Sequence, residues 1–443
     1  MRVDISYREI LKQAYPVMIG AFATTLLNVT DTAFLGRVGE TELGASAIGG
    51  VFYFAFAMIG VALGIGAQIL IARRSGEQNE SEVGNIFDHS FILLTLLGFL
   101  LFLILFFFSD LILRNSVESA EIAEATVSFI KYRSWGIVFL MMATAFRSFY
   151  VGVATPNVYG VYAFIMAGVN IILGYAFIFG YGSIPAMGIE GAGLAASISE
   201  LVSLLFLFTH VFLKKSIKKF RLFRFDSFQK DTFLKILNLS APLVVQNMLS
   251  MGAWLVFFLF IEKLGSRDLA VSNVVRAVYM LGMTPMWGFS VSANSMVSNI
   301  IGQGRSDEVK VLLMRIIRLT LLTSLLMVSI NLIFPHQVLS IFTSDESLIS
   351  DSFSTLMVVN VSMFFFSFAI VCISAVSGTG ATRKALYIEI AAIIIYLIYI
   401  YSVTFSVTGP VEVVWMSEVI YWGFTGIVSY YYIARGNWKK IRI

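Results

Sequence analysis

The sequence predicts an all-α integral membrane protein with twelve transmembrane helices in two homologous six-helix lobes. Three observations lead to this fold class. The 443 residues are 58% hydrophobic and only 13% charged, with a mean hydropathy of +0.85, whereas soluble domains carry about 25% charged residues. Long apolar runs recur along the chain, and the second half repeats the pattern of the first.

The apolar runs are long enough to cross a bilayer. A helix rises about 1.5 Å per residue, so roughly 30 Å of hydrocarbon requires about 20 apolar residues. Twelve runs meet this requirement, six in each half of the chain. They lie at 14–36, 45–71, 89–109, 130–153, 158–180, 191–213, 239–262, 269–300, 315–336, 354–377, 385–407 and 412–434.

The two halves align at a constant offset of 226 residues, and repeats of this size in membrane proteins are typical of transporters. Six spans is an even number, so both halves should insert with the same orientation. We predict an N-lobe at residues 1–213, a cytoplasmic linker at 214–238 and a C-lobe at 239–443. The matched pairs are Pro16 with Pro242, Gly39 with Gly265, Leu43 with Leu269, Ser46 with Ser272, Ala67 with Ala293, Gly76 with Gly302, Glu82 with Glu308, and Gly152 with Gly378.

Basic residues indicate which side of the membrane each loop faces. The segment KKSIKKFRLFRFDSFQKD at 214–231 joins the halves, and it is either an amphipathic helix on the inner leaflet or a basic loop. The opposite loops hold few cations, among them Arg37, Lys131 and Arg133. The positive-inside rule therefore predicts an inner-membrane protein with both termini in the cytoplasm. The polar N-terminus lacks the pattern of a cleaved signal peptide.

The sequence argues against enzymatic and nucleotide-driven activities. The three histidines, His89, His210 and His336, fall near span ends without metal-site spacing, and no phosphate-binding GxxxxGK[ST] loop occurs. The single cysteine, Cys372, rules out an intrachain disulfide. We expect an ion-driven transporter without a cofactor. Its partners should be small amphipathic molecules and the lipid bilayer, with no nucleic acid, and we expect a monomer.

Asp31 is the strongest candidate for ion coupling, because a charge within a span is costly and usually functional. It lies in TTLLNVTDTAFLG on the first span, where Thr24 and Asn28 share its helical face. This polar stripe should face protein or water. Phe257 occupies the equivalent position in the second copy, so ion coupling is predicted for the N-lobe alone. The alternative is that Asp31 braces a neighbouring helix.

Other ionisable residues lie within the spans. Glu200 on the sixth span is either a second protonatable group or a structural acid. Arg276 and Glu418, both in the C-terminal half, are predicted to form a neutralising ion pair. Glu389 lies one turn into span eleven and is interpreted as interfacial.

Pro16 precedes Asp31 on the same span and removes a backbone hydrogen bond about four turns away. It is either a hinge that couples protonation to helix bending or a first-turn proline that starts the span.

These features resemble the multidrug and toxic compound extrusion (MATE) family. The resemblance rests on the twelve spans in two copies, NVTDTAFLGRVG after Pro16, FRSFYVGVATP at 146–156, and NIIL at 170–173. It implies two lobes arranged in a V, alternating access, and export of amphipathic, often cationic, compounds driven by a cation gradient. The chain looks most like the DinF branch, in which the N-lobe aspartate couples the ion.

The sequence departs from the family pattern at two positions. Where the family often has N-x-x-x-D in span five, Asn170 is followed by Gly174, and Ala196 replaces a threonine in span six. Since Na⁺ requires several oxygen ligands, the losses favour a proton as the coupling ion, with Na⁺ as the alternative.

The resulting hypothesis is drug/H⁺ antiport. Protonation of Asp31 would bend the first span, shrink the N-lobe cavity and expel the substrate, with Thr24, Asn28 and Asn170 bonding the carboxyl or the ligand. One alternative is a lipid-linked saccharide flippase, which would need a more cationic cavity than the few intramembrane Lys and Arg provide. An intramembrane enzyme or a receptor is the alternative outside transport.

Overall fold

The computed structural model describes residues 3–225, 228–407 and 409–443, and its described part confirms the all-α class, with 87% helix and no strand. In the first half, long apolar segments fold into six helices joined by short turns. They are α1 (Tyr7–Val38), α2 (Glu40–Gly76), α3 (Glu80–Ser116), α4 (Ala120–Gly152), α5 (Asn157–Phe179) and α6 (Gly188–Leu213).

The second half repeats this order and adds one short helix. Its elements are α7 (Lys230–Glu262), α8 (Ser266–Gly302), α9 (Val309–Ile333), the short α10 (Pro335–Ser340), α11 (Glu346–Gly378), α12 (Thr382–Tyr401) and α13 (Val411–Arg435). A π-helical turn, Ser402–Val407, extends α12. The helices extend beyond the predicted apolar spans, because their polar ends continue the backbone hydrogen bonding outside the hydrocarbon.

Eleven helices in the described part of the chain are long and apolar enough to span a membrane. The long helix that fails this criterion is α8, although it has 37 residues. Its polar side chains face the protein interior, where Ser292, Asn294 and Asn299 are nearly inaccessible. A helix covered by its neighbours does not need an apolar surface toward lipid.

Contacts between residues divide the chain into two compact units. The N-terminal unit comprises Ile19–Val244, and the C-terminal unit comprises the segment that ends at Met18 together with Val245–Ile443. Each boundary falls inside a helix, two residues after Pro16 in α1 and two residues after Pro242 in α7. The predicted lobes, which end at 213 and begin at 239, divide the chain between complete helices. The units defined by contacts divide it inside α1 and α7, so their bounds differ from those of the lobes.

Contacts on both sides explain this division. In the N-terminal unit, the Ser240 hydroxyl of α7 donates to the Leu63 carbonyl of α2 at 2.9 Å. In the C-terminal unit, a Cβ on Gly288 of α8 would lie 2.4 Å from the Met18 side chain of α1. The absence of a side chain at Gly288 therefore allows the first turns of α1 to approach α8 closely.

Residues 214–225 of the basic linker form a loop rather than an amphipathic helix, and residues 230–238 of the predicted linker belong to α7. A single 3₁₀ turn, Lys218–Phe220, precedes backbone with positive φ at Arg221, Phe223 and Phe225, a conformation that no α-helix contains. The Asp88 carboxylate of α3 accepts hydrogen bonds from the backbone N–H groups of residues 223, 224 and 225 at 2.7–3.1 Å. Two residues of the predicted linker, Asp226 and Ser227, lie outside the described residues.

Candidate functional site

The structure brings Asp31 and Asn170 into direct contact. The Asn170 amide on α5 donates to Asp31 Oδ1 on α1 at 2.8 Å, and Asn170 is fully buried. The Asn170 Oδ1 atom is also buried, and it has no hydrogen-bond partner among the described residues. A carboxyl group within a span is therefore bonded to a neutral amide that keeps one acceptor available.

Small and aromatic residues surround this contact. A Cβ on Gly174, one turn after Asn170, would lie 3.8 Å from Asp31 Oδ1 and from the Phe34 ring. Phe34 packs edge-on against Tyr175 and Phe179 of α5, with ring centroids 6.1 and 5.6 Å away. Gly174, which departs from the family pattern in span five, thus lies beside the Asp31 carboxyl and has no side-chain oxygen that could bind an ion there.

The other two residues of the predicted polar stripe do not bond to Asp31. Thr24 and Asn28 are exposed. The Thr24 hydroxyl donates to the Gly20 carbonyl of its own helix at 3.0 Å. The predicted sharing of one helical face holds, but the described hydrogen bonds to the carboxyl come from α5.

Glu200 has a cationic partner. Its carboxylate accepts two hydrogen bonds from Arg133 of α4, at 2.6 and 2.9 Å. The side chains are 5% and 14% exposed, and the Arg133 guanidinium lies 3.8 Å from the Tyr53 ring centroid. This geometry favours the structural interpretation of Glu200, because arginine cannot accept a hydrogen bond from a protonated acid.

Sequence reasoning misplaced Arg133. The prediction counted it among the cations of the outer segments, next to the start of a span placed at 130–153, whereas α4 begins at Ala120 and Arg133 lies well inside the helix. It also attracts Asp31 electrostatically. The signal that could have located it was Glu200 itself, since a buried carboxylate requires a partner on a neighbouring helix.

Pro16 lies inside α1 rather than in its first turn. The interpretation that it starts the helix is therefore wrong, because α1 begins at Tyr7. Its role as a hinge remains a prediction.

Aromatic residues occupy the C-terminal equivalents of Asp31 and Asn170. Phe257 is fully buried and packs against Trp415 and Tyr396, with ring centroids 5.0 and 6.1 Å away. Tyr396 occupies the repeat position of Asn170. Aromatic packing therefore replaces the carboxyl–amide contact at this level.

The ion pair predicted in the C-terminal half does not form. Arg276 does not pair with Glu418, because it faces the Phe258 ring of α7 at 4.8 Å. Glu418 instead accepts hydrogen bonds from Tyr396 at 3.0 Å and from the Trp422 indole at 2.9 Å. Glu389 is 4% exposed, so protein encloses its carboxyl, and its depth in the membrane stays a prediction.

Comparison with known proteins identifies the family. The family model described as MatE matches the chain twice, over residues 16–176 and 242–402. Each bound of the second match lies 226 residues after that of the first, which confirms the internal repeat and its offset.

Two multidrug resistance proteins match most of the chain at low sequence identity. The chain is 23% identical over 390 residues to the Probable multidrug resistance protein NorM of Pasteurella multocida, covering 87% of this chain and 83% of the relative. It is 25% identical over 390 residues to the protein of the same name from Thermotoga maritima, with the same coverage of both chains.

Solved structures share the fold. One, described as the outward-facing conformation of a multidrug resistance MATE family transporter of the MOP superfamily, matches with a TM-score of 0.90 at 22% identity, covering 96% of this chain and 95% of that one. A MOP superfamily transporter from Pyrococcus furiosus matches with a TM-score of 0.87 at 22% identity and the same coverage. The motifs, the two-fold family match and the shared fold agree, and the chain belongs to the MatE family of membrane transporters.

Proposed function

We propose that this chain is a drug/H⁺ antiporter that exports amphipathic, cationic organic compounds by alternating access, with Asp31 as the coupling residue. The multidrug resistance names of the relatives support the substrate class. The observation that carries the coupling role is the Asp31–Asn170 contact. Asp31 bonds to a neutral amide, whereas Glu200 is held by an arginine.

The amide suits a carboxyl that changes protonation state. An ionised Asp31 accepts from the Asn170 Nδ2 atom, while a protonated Asp31 carries a hydroxyl that must find an acceptor. The Asn170 amide supplies that acceptor through Oδ1 when it rotates. Both states therefore keep a hydrogen bond, and neither leaves an uncompensated buried group.

The local ligand set favours H⁺ over Na⁺. Na⁺ requires several oxygen ligands, and the two family positions that would add them hold Gly174 and Ala196. A proton requires one carboxyl group. Assignment to the DinF branch, in which this aspartate is the coupling residue, is part of the same proposal.

The proposed cycle links protonation to the shape of α1. Ionised Asp31 attracts a cationic substrate, and proton entry from outside neutralises it and favours bending at Pro16, which expels the substrate. Both termini lie in the cytoplasm, and the protein resides in the inner membrane. At about 150 mV one proton supplies roughly 3.5 kcal/mol, enough for a gradient of a few hundred-fold.

The test is Asp31→Asn in proteoliposomes loaded with a panel of fluorescent cations and subjected to a pH gradient. We expect loss of gradient-driven efflux. The matched control is Asp110→Asn, which removes an exposed carboxylate paired with Arg114 at one end of α3 and should transport normally. Unchanged transport by Asp31→Asn would refute the assignment.

A second measurement distinguishes the coupling ions. Replacing Na⁺ by choline at fixed pH should leave efflux unchanged if a proton drives it. Loss of efflux under choline would instead support a Na⁺-coupled antiporter.

A further inference from the structure

The C-terminal unit holds a buried carboxyl that the proposed cycle does not use. Glu389 of α12 is 4% exposed, and its Oε1 atom accepts hydrogen bonds from the Ser250 hydroxyl at 2.5 Å and from the Tyr421 hydroxyl. The Gln246 amide lies 3.4 Å from Oε2. The carboxyl thus joins α12 to α7 through Ser250 and Gln246, and to α13 through Tyr421.

The repeat shows what is unusual about this position. Subtracting 226 relates Ser250 to Thr24 and Glu389 to Ala163, so that α7 and α12 correspond to α1 and α5. In the N-terminal unit the same level holds no carboxyl and is tightly packed, since a Cβ on Gly20 would lie 3.5 Å from the Ala163 Cβ. Conversely, the level of Asp31 and Asn170 holds Phe257 and Tyr396 in the C-terminal unit, and the Tyr396 hydroxyl donates to Glu418 of α13 rather than to a carboxyl on α7.

Each unit therefore has a carboxyl group that bonds the first long helix of the repeat to the fifth, but at a different height along the helices. Thr24 precedes Asp31 by seven residues, and Ala163 precedes Asn170 by seven residues. The carboxyl contact of the C-terminal unit thus lies two helical turns, about 10 Å, closer to the starts of the equivalent helices. It joins the same two helices of the repeat.

The partners of Glu389 allow both protonation states. Serine and tyrosine hydroxyls and a glutamine amide can each donate or accept. The contacting groups from α7 and α13 include one titratable side chain, Tyr421, and no ion pair to Glu389 occurs among residues 3–225, 228–407 and 409–443. Tyr421 also interacts electrostatically with Glu418 of α13.

Three other acids are buried, and they have different partners: Asp88 accepts from backbone N–H groups, which can only donate. Arg133 holds Glu200 and can only donate. Glu418 accepts from the indole N–H of Trp422, which also can only donate, as well as from Tyr279 and Tyr396. Among these four buried acids, Glu389 is the one whose three side-chain partners can each either donate or accept a hydrogen bond.

We propose that Glu389 is a second, exchangeable proton-binding site, located in the C-terminal unit, that joins α7 to α12 and α13. Ionisation or protonation would change the bonds to Ser250 and Gln246, which lie within about two turns after Pro242 on α7. The inference goes beyond the proposed function and does not require Asp31 to be the coupling residue.

The experiment measures the carboxyl C=O stretch of protonated acids by infrared difference spectroscopy during pH titration. The full chain is reconstituted in phosphatidylethanolamine and phosphatidylglycerol vesicles. Asp31→Asn, which removes the other candidate, is compared with Asp31→Asn/Glu389→Gln and with the matched control Asp31→Asn/Glu418→Gln. All three proteins share the titrating C=O band of the exposed carboxyl groups, and we expect one further component in Asp31→Asn that is lost with Glu389→Gln and retained with Glu418→Gln.

Three results would overturn the proposal: a further component unaffected by Glu389→Gln, loss of that component in the Glu418→Gln control, or a Glu389 component of equal intensity at every pH. If the Glu389→Gln protein does not fold, Tyr421→Phe provides the second variant. It keeps the carboxyl and removes one hydrogen bond, so the Glu389 component should move to higher frequency. An unmoved component would contradict the assignment. Failure of Asp31 in transport would leave these spectra unchanged, so the two proposals fail separately.

Discussion

At the scale of residues, the Arg133–Glu200 pair shows how a membrane interior holds opposite charges. The two hydrogen bonds are parallel and short, and Tyr53 covers the guanidinium. Gly136 lies against both groups, since a Cβ there would be 2.2 Å from Arg133 Nη1 and from Glu200 Oε2. A side chain at Gly136 would separate the charges, which explains why this turn of α4 contains glycine.

Removing one member of this pair should destabilise the protein strongly. We expect Glu200→Leu to lower the free energy of unfolding by about 3–5 kcal/mol, because Arg133 remains buried without its partner. The double variant Arg133→Leu/Glu200→Leu should recover most of that loss. Thermal and denaturant unfolding in detergent micelles measure both effects.

The matched control is Arg114→Leu, which breaks an exposed ion pair with Asp110 and should cost less than about 1 kcal/mol. A Glu200→Leu protein as stable as this control would show that the buried pair contributes nothing.

At the scale of elements, the repeated glycines Gly152 and Gly378 allow close helix packing. A Cβ on Gly152 of α4 would lie 2.5 Å from the Ile71 side chain of α2. A Cβ on Gly378 of α11 would lie 2.4 Å from the backbone oxygen of Asn294 on α8. The same repeat position thus allows close packing of the equivalent helix pair in each unit. The nearest neighbour is the Ile71 side chain at Gly152 and the Asn294 backbone at Gly378.

This difference predicts that Gly152→Ala and Gly378→Ala lower the free energy of unfolding by unequal amounts. Both variants should be destabilised by about 1–3 kcal/mol through overpacking. Gly378→Ala should be the more affected, because its three nearest atoms all belong to the Asn294 backbone, whereas the atom nearest a Cβ on Gly152 is the Ile71 Cγ2 methyl, which can shift with its side chain. Thermal unfolding in detergent measures the order.

Gly168→Ala serves as the control, because its Cβ would meet nothing within 4 Å. It should leave stability unchanged or slightly raised. A larger effect of Gly152→Ala than of Gly378→Ala would contradict the packing argument.

At the scale of the whole molecule, one helical plan is used twice with different chemistry. The two matches to the family model begin and end 226 residues apart, and the six long helices of one half correspond to the six long helices of the other. The buried acids do not correspond: Asp31 has Phe257 as its counterpart, and Glu389 has Ala163. The two halves therefore share the fold and differ in where they place buried acids.

The membrane orientation of this plan gives a testable prediction. Glu118→Cys, between α3 and α4, should react with a membrane-impermeant maleimide on intact cells, whereas Lys215→Cys in the linker should react only after the membrane is permeabilised. Both positions are exposed, and the positive-inside rule places them on opposite sides.

The wild-type protein is the control, because Cys372 is fully buried and should not be labelled. Labelling of Lys215→Cys on intact cells would reverse the assigned orientation.

Much of the fold and part of the candidate site follow from the sequence. The apolar runs, the repeat and the motif around Asp31 predict the helices, the family and the Asp31 candidate, because these depend on composition and on spacing along one helix. The contact between Asp31 and Asn170 was anticipated only through the family resemblance. Thr24 and Asn28 share the face of Asp31 without bonding to its carboxyl, since helical spacing fixes a direction and not a distance.

The sequence by itself determined the class of protein, the number of its long helices and their two-fold correspondence, because membrane insertion selects apolar length and the repeat is visible in the residues. Only the tertiary structure decided the partners of the buried acids. Arg133 and Glu200 are 67 residues apart, and Ser250 and Glu389 are 139 residues apart. The period of a helix predicts which residues share a face, but only packing decides which other helix that face meets.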